Sequence, residues 1–298
     1  MPGRFGKVIT AMATPFREDF SLDVGRAEAL SEWLVETGSD SLVVAGSTGE
    51  AATLTDEEKV TLFQSVAKAV GGRARVIAGT GTYDTAHSIH LTQEAERAGA
   101  DAVLVVTPYY NKPPQRGLIE HFTRVSQSTT LPVLVYNIPG RTGTRIEHET
   151  LLRLSEVENI VGVKDSTGDF EALPLLLRET PDDFDVYCGD DWAAFGFYCL
   201  GAAGLISVPA HIVGERIGRM FELLDKGDIG GARKINSELA PLFKAMFITS
   251  NPIPLKAAMS LIGQPVGPPR LPLVPATDEE TSKVRKALED AGVPLAEQ

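Results

Sequence analysis

Two cysteines, Cys188 and Cys199, are all that 298 residues contain, and no Cys-x-x-Cys or Cys/His ligand spacing surrounds them. A disulfide framework and a cysteine-based metal site are therefore excluded, and both are expected to be buried free thiols in a reducing compartment. Long apolar runs are missing as well, so no membrane span is expected. Met1 to Pro15 holds no basic stretch leading into an apolar one, so no signal peptide is expected. Positive charge is scarce: 28 Lys and Arg face 40 Asp and Glu, a formal net charge of -12. Such a chain is a poor partner for nucleic acid or an anionic membrane surface. A small anionic substrate stays compatible, because it responds to the local field of a cleft. The expectation is a soluble cytoplasmic protein with a sizeable core, long enough for one large α/β domain or two smaller ones.

What is present is a series of short apolar runs. Strands are expected near Val8–Ala13, Ser41–Ala45, Arg75–Gly79, Ala102–Thr107, Pro132–Asn137, Ile160–Lys164, Asp185–Cys188 and Gly204–Val208. Helix signals lie between them. Thr55-Asp56-Glu57-Glu58 offers an N-cap and an acidic first turn. Thr85 to Ala98 has helical periodicity and stops at Gly99, and Ile146–Ser155 and Phe170–Glu179 behave alike. Eight such units predict an α/β fold, a (β/α)8 TIM barrel over residues 1–229. Residues 230–298 predict a C-terminal helical extension of three helices, with Asn251-Pro252-Ile253-Pro254 breaking two of them apart. A doubly wound sheet is disfavoured, because Gly79-Thr80-Gly81 lacks the third glycine of a dinucleotide fingerprint.

In such a barrel the reacting groups stand at the carboxyl ends of the strands. The unusual polar residues collect there: Ser47-Thr48-Gly49-Glu50, Tyr109-Tyr110, Tyr136 with Arg141, Lys164, Gly189-Asp190-Asp191, and Ile206-Ser207. Lys164 ends an apolar strand, where a charged amine is costly to bury. Neutralised, it becomes a nucleophile able to form a Schiff base with a carbonyl. Blander roles exist for each residue. Tyr136 could be a barrel-layer aromatic, Tyr109 interface packing, Arg141 the partner of a surface acid, and Gly46 and Gly49 a tight turn. Asp190-Asp191 is expected to cap the next helix. His87 and His90, with no third ligand nearby, are expected to be a solvated pair and not a metal site. No serine sits in a Gly-x-Ser-x-Gly elbow, so a serine hydrolase is not supported.

Taken in order, these residues resemble the pyruvate-dependent class I aldolase family that contains dihydrodipicolinate synthase and N-acetylneuraminate lyase. The resemblance runs from Thr10-Ala11-Met12-Ala13-Thr14-Pro15-Phe16 to Asn251-Pro252-Ile253-Pro254-Leu255-Lys256. Tyr136-Asn137-Ile138-Pro139-Gly140-Arg141-Thr142-Gly143 and the Asn251 to Lys256 segment look like the synthase branch. The resemblance implies that Lys164 is the Schiff-base lysine and Tyr136 the general acid/base beside it. It implies a proton relay through Ser47 and Tyr110, with Tyr110 serving the site of a neighbouring subunit. Thr48 and the backbone around Gly189 and Ile206 would hold pyruvate, and Arg141 the carboxylate of L-aspartate 4-semialdehyde. No metal or organic cofactor is implied, and the assembly would be a homotetramer built from tight dimers.

Two departures from the family pattern stand out. Ser47 occupies a position where synthases usually carry threonine and sialate lyases often carry serine. A retro-aldol lyase for a 2-keto-3-deoxy sugar acid, or an N-acetylneuraminate-type lyase, is therefore the alternative, but a sugar aldehyde offers Arg141 no carboxylate. A family relative kept as a binding protein is the non-enzyme alternative. The second departure lies where feedback-sensitive members bind lysine: Ala51, Asp56, Lys59, Tyr83, His87 and Tyr109 stand there. Ala51 removes a hydroxyl, Lys59 brings a like charge and His87 replaces an acid, so weak or absent lysine inhibition is expected.

Overall fold

Eight parallel strands close into a barrel in sequence order, β1 pairing with both β2 and β8. They are β1 Val8–Ala11, β2 Ser41–Val44, β3 Arg75–Gly79, β4 Ala102–Val106, β5 Val133–Asn137, β6 Ile160–Asp165, β7 Asp185–Cys188 and β8 Gly204–Ser207. The computed structural model describes residues 3–296. Helices α1 Val24–Glu36, α2 Asp56–Val70, α3 Thr85–Arg97, α4 Gln115–Ser126, α5 Pro139–Thr142, α6 His148–Ser155, α7 Ala172–Glu179, α8 Ala194–Cys199 and α9 Ala210–Asp225 lie between and after the strands. Then come α10 Ile229–Ala245, α11 Ile253–Leu261 and α12 Asp278–Asp290. The fold is the expected (β/α)8 barrel followed by three helices, with α10 on α9 and α12, and α11 on α12.

The strands read as apolar runs because both faces are covered. Outward side chains such as Val103, Val105, Val133 and Val135 join the layer beneath the helices. Inward ones at period two, Ile9 and Ala11, Ala102 and Leu104, Leu134 and Tyr136, fill the barrel with Tyr187 and Ile206. Register makes Lys164 the neighbour of Tyr136 on one side and of Tyr187 on the other. An inward-facing lysine between two tyrosines is thus a direct result of strand alternation.

Helix starts follow the local chemistry. Thr55 and Glu58 form a capping box at α2, and Thr277 and Glu280 form another at α12. Expected ends shift by one or two residues where the chain leaves the ladder: β2 stops at Val44 because Ala45 turns to φ +52°. His211 is buried and held in one tautomer: its Nε2 accepts from the Ala13 amide at 3.0 Å while Nδ1–H donates to the Val208 carbonyl. It ties β1 to the start of α9, and burial lowers its pKa to about 4.

Three expectations need correction. Cys188 is buried but Cys199 is exposed, because α8 turns that position outward. His90 is exposed as expected, whereas His87 is half-buried, with its Nε2 2.9 Å from both Asp56 carboxylate oxygens. Asp190 and Asp191 do not cap the following helix with their side chains; Asp191 turns inward to Ser207. No helix among the described residues is long and apolar enough to cross a membrane.

Candidate active site

Lys164 and Tyr136 are adjacent Cα partners on β6 and β5, and both side chains are buried. The Lys164 amine lies 4.1 Å from the centroid of the Tyr136 ring, which presents its electron-rich face to the nitrogen. A small cavity of about 40 Å³ covers this pair, lined also by Ser47, Thr48, Arg141 and Gly189. It shares Ser47, Tyr136 and Arg141 with a larger cavity of about 370 Å³. Six of the eight expected site residues are therefore brought together at the carboxyl end of the barrel.

Gly189 is there for space. A Cβ at this position would stand 3.1 Å from the Lys164 Cε and 2.0 Å from the Ser166 Oγ, so any side chain would push into the amine's stem. Arg141 sits at the mouth on the short helix α5, with Nη2 donating to the Asn251 carbonyl at 3.2 Å. It forms no ion pair among the described residues, which frees most of its planar fork for a carboxylate.

Two expected residues lie elsewhere. Ile206 lines neither cavity; its side chain is in the barrel interior at 1% exposure, and Val208 two residues on faces the small cavity. Tyr110 points away from its own chain, 91% exposed, on a backbone at φ +74°. For a bulky residue that backbone is strained. Tyr109, by contrast, lines the larger cavity and packs edge-on against Tyr83 at 5.4 Å.

Several residues of the site were missed from the sequence. Asn251 lines both cavities and donates from Nδ2 to the Thr48 Oγ1 at 2.9 Å. Asp190 lines the small cavity; burial raises its pKa, and the nearby Lys164 charge pulls it back down. Asp191 is fully buried, accepting from the Ser207 hydroxyl and, at 3.3 Å, from the Val208 amide. Desolvation raises its pKa to about 7, while the Ser207 bond opposes the rise.

The folded state therefore keeps a proton on Asp191 that the unfolded chain, titrating near 3.8, has lost. Stability from this group is present at low pH and is lost as pH rises from 3.8 to about 7. Compared with Asp191→Asn, which stays neutral, the wild type should lose unfolding free energy across that window. Any acceptor that asparagine fails to supply adds a constant offset and leaves the slope. Urea titrations of both proteins at several pH values check this; a pH-independent difference would contradict it.

The sequence profile of the Dihydrodipicolinate synthetase family matches residues 4–291. The chain belongs to this family. Among its relatives, the 4-hydroxy-tetrahydrodipicolinate synthase of Moorella thermoacetica is 51% identical, over 97% of this chain and 99% of the other. A dihydrodipicolinate synthase structure from Cyanidioschyzon merolae with lysine bound has a TM-score of 0.96 at 43% identity, covering 98% of this chain and 100% of that one. A chloride-inhibited dihydrodipicolinate synthase from Acinetobacter baumannii, complexed with pyruvate, has a TM-score of 0.94 at 40% identity, covering 97% and 99%. The match covers both the barrel and the C-terminal helices, and so spans Asn251 as well as Lys164.

Proposed function

We propose that this chain condenses pyruvate with L-aspartate 4-semialdehyde through an imine on Lys164, the 4-hydroxy-tetrahydrodipicolinate synthase reaction of diaminopimelate and lysine biosynthesis. The observation that carries the reading is the small cavity in which the Lys164 amine and the Tyr136 ring meet, with Arg141 also in its lining.

The Lys164 amine attacks the pyruvate ketone, and loss of water gives an iminium that acidifies the neighbouring methyl group. Removal of a methyl proton leaves an enamine, whose carbon attacks the aldehyde of the second substrate. The resulting alkoxide takes a proton. The substrate's own amine then adds to the iminium carbon, closes the ring and expels Lys164. Tyr136 donates and accepts these protons, and Ser47 passes them on, since a hydroxyl is both donor and acceptor. Thr48 and the Gly189 backbone hold the pyruvate carboxylate. Arg141 binds the carboxylate of the semialdehyde with its fork.

Ser47 is the one feature that favours the lyase alternative, and Arg141 opposes it. Initial pyruvate consumption with aspartate semialdehyde, N-acetylmannosamine and glyceraldehyde separates the two. Turnover with the semialdehyde alone is expected, and Arg141→Gln should lower its kcat/KM by roughly 30- to 1000-fold, the scale of a truncated buried charge pair. Preference for a sugar aldehyde would move the chain to the lyase branch.

Tyr110 supports a shared site. A strained, exposed tyrosine that points away from its own chain is suited to complete the relay of a second copy, in a homotetramer of tight dimers in the cytoplasm. Lysine should inhibit weakly or not at all. Asp56, the acid in the region expected to receive it, already pairs with His87 at 2.9 Å and faces Lys59 at 3.9 Å. Half-maximal inhibition at sub-millimolar lysine would contradict this.

A further inference from the structure

The Asn251 to Lys256 segment has a conspicuous member that the chemistry above leaves unused. Lys256 lies in α11, 4% exposed, with its amine 2.7 Å from the Glu50 Oε1, whose side chain is 1% exposed. The contact falls outside hydrogen-bond angles, so it is an ion pair held by charge. The hydrogen bonds of the amine go instead to the carbonyls of Thr14 at 3.1 Å and Pro268 at 3.0 Å. Glu50 Oε2 accepts from the Arg270 amide at 2.8 Å. Both ends are thus fixed from the C-terminal region.

A buried pair of this kind is a poor source of stability, because desolvating two charges offsets their attraction. Its placement gives it another use. Glu50 adopts φ +55°, a left-handed conformation rarely taken by a residue with a side chain. Its amide donates to the Ser47 carbonyl at 3.1 Å and so closes the Ser47–Glu50 turn. That turn carries the two hydroxyls of the site, and Asn251 grips the Thr48 hydroxyl from the same C-terminal segment. Without Lys256, the Glu50 carboxylate keeps only the Arg270 amide on its other oxygen, and its charge is left unpaired beside the strained turn.

We propose that Lys256 and Glu50 are positioning residues: their ion pair pins the Ser47–Glu50 turn from the C-terminal region, so that the Ser47 and Thr48 hydroxyls meet pyruvate on Lys164. The assignment rests on the imine chemistry above. Its consequence is that α11, outside the barrel, sets the pyruvate half of the site.

The test uses Glu50→Gln, Lys256→Met and the double variant in the full chain. Each single variant leaves one buried charge unpaired and should lower Tm; the double variant leaves none and should recover most of that loss. All three should show kcat/KM for pyruvate about tenfold or more below wild type, with KM for the aldehyde within about twofold. Recovery of kcat/KM together with Tm in the double variant would overturn the proposal, because the pair would then be structural only. Borohydride trapping of wild type with pyruvate tests the imine reading separately. Whatever its outcome, a crystal structure of Glu50→Gln decides the pin. An Asn251–Thr48 separation stretched past about 3.5 Å supports it, and a contact retained near 2.9 Å overturns it.

Discussion

Lys164→Gln should lose roughly four to six orders of magnitude in turnover, the loss that follows deletion of a covalent nucleophile. Glutamine is close to lysine in reach and fills the space between Tyr136 and Tyr187, so the barrel interior should persist. An amide nitrogen cannot add to a ketone under these conditions. The loss should therefore appear in kcat with the fold intact, checked by pyruvate consumption alongside circular dichroism. Retention of even a tenth of wild-type turnover would remove Lys164 from the chemistry. Arg141→Gln should behave differently, since in the proposed mechanism imine formation precedes the arrival of the aldehyde.

Tyr136→Phe should lower kcat by about two to four orders of magnitude, the range for a positioned acid/base group. Phenylalanine keeps the ring that faces the Lys164 amine at 4.1 Å, so packing and the cation–π contact survive and only the hydroxyl is lost. Imine formation and breakdown should both slow, while the folded structure and Tm change little. An unchanged kcat would leave Tyr136 as a barrel-layer aromatic, the role its place in the interior cluster would otherwise suggest.

The barrel was legible in the sequence because parallel strands buried on both faces read as short apolar runs, and helices with clear start or stop signals, such as α2 and α3, lie between them. Lys164 was legible for the same reason: strand alternation from Gly162 places it inward, where an unexplained charge draws notice. Other features were not. Asp191 and its partner Ser207 are sixteen residues apart, and nothing local says that one faces the other. Asp190-Asp191 instead looked like a capping pair. His87 was read as solvated because its partner, Asp56, comes from the preceding helix. Cys199 is exposed although most free cysteines are buried, since α8 is too short to cover both its faces.

The Lys256–Glu50 pair shows how an available signal can pass unread. Lys256 stands within the Asn251 to Lys256 segment, and Glu50 ends the Ser47-Thr48-Gly49-Glu50 run. Each was visible as part of a motif, but separation by 206 positions hid that they meet. Ile206 was named for its backbone, and the cavity is met instead by Val208, two positions along the same chain direction. Tyr110 lies off the site within one chain, so its part in the chemistry depends on assembly.

The most direct test of the central claim is borohydride reduction of the wild-type protein with pyruvate, followed by peptide mass mapping. One reduced pyruvate on the peptide containing Lys164, absent from Lys164→Gln and absent without pyruvate, is the expected result. An adduct on another lysine, or none on a folded protein that still consumes pyruvate, would contradict the Lys164 mechanism.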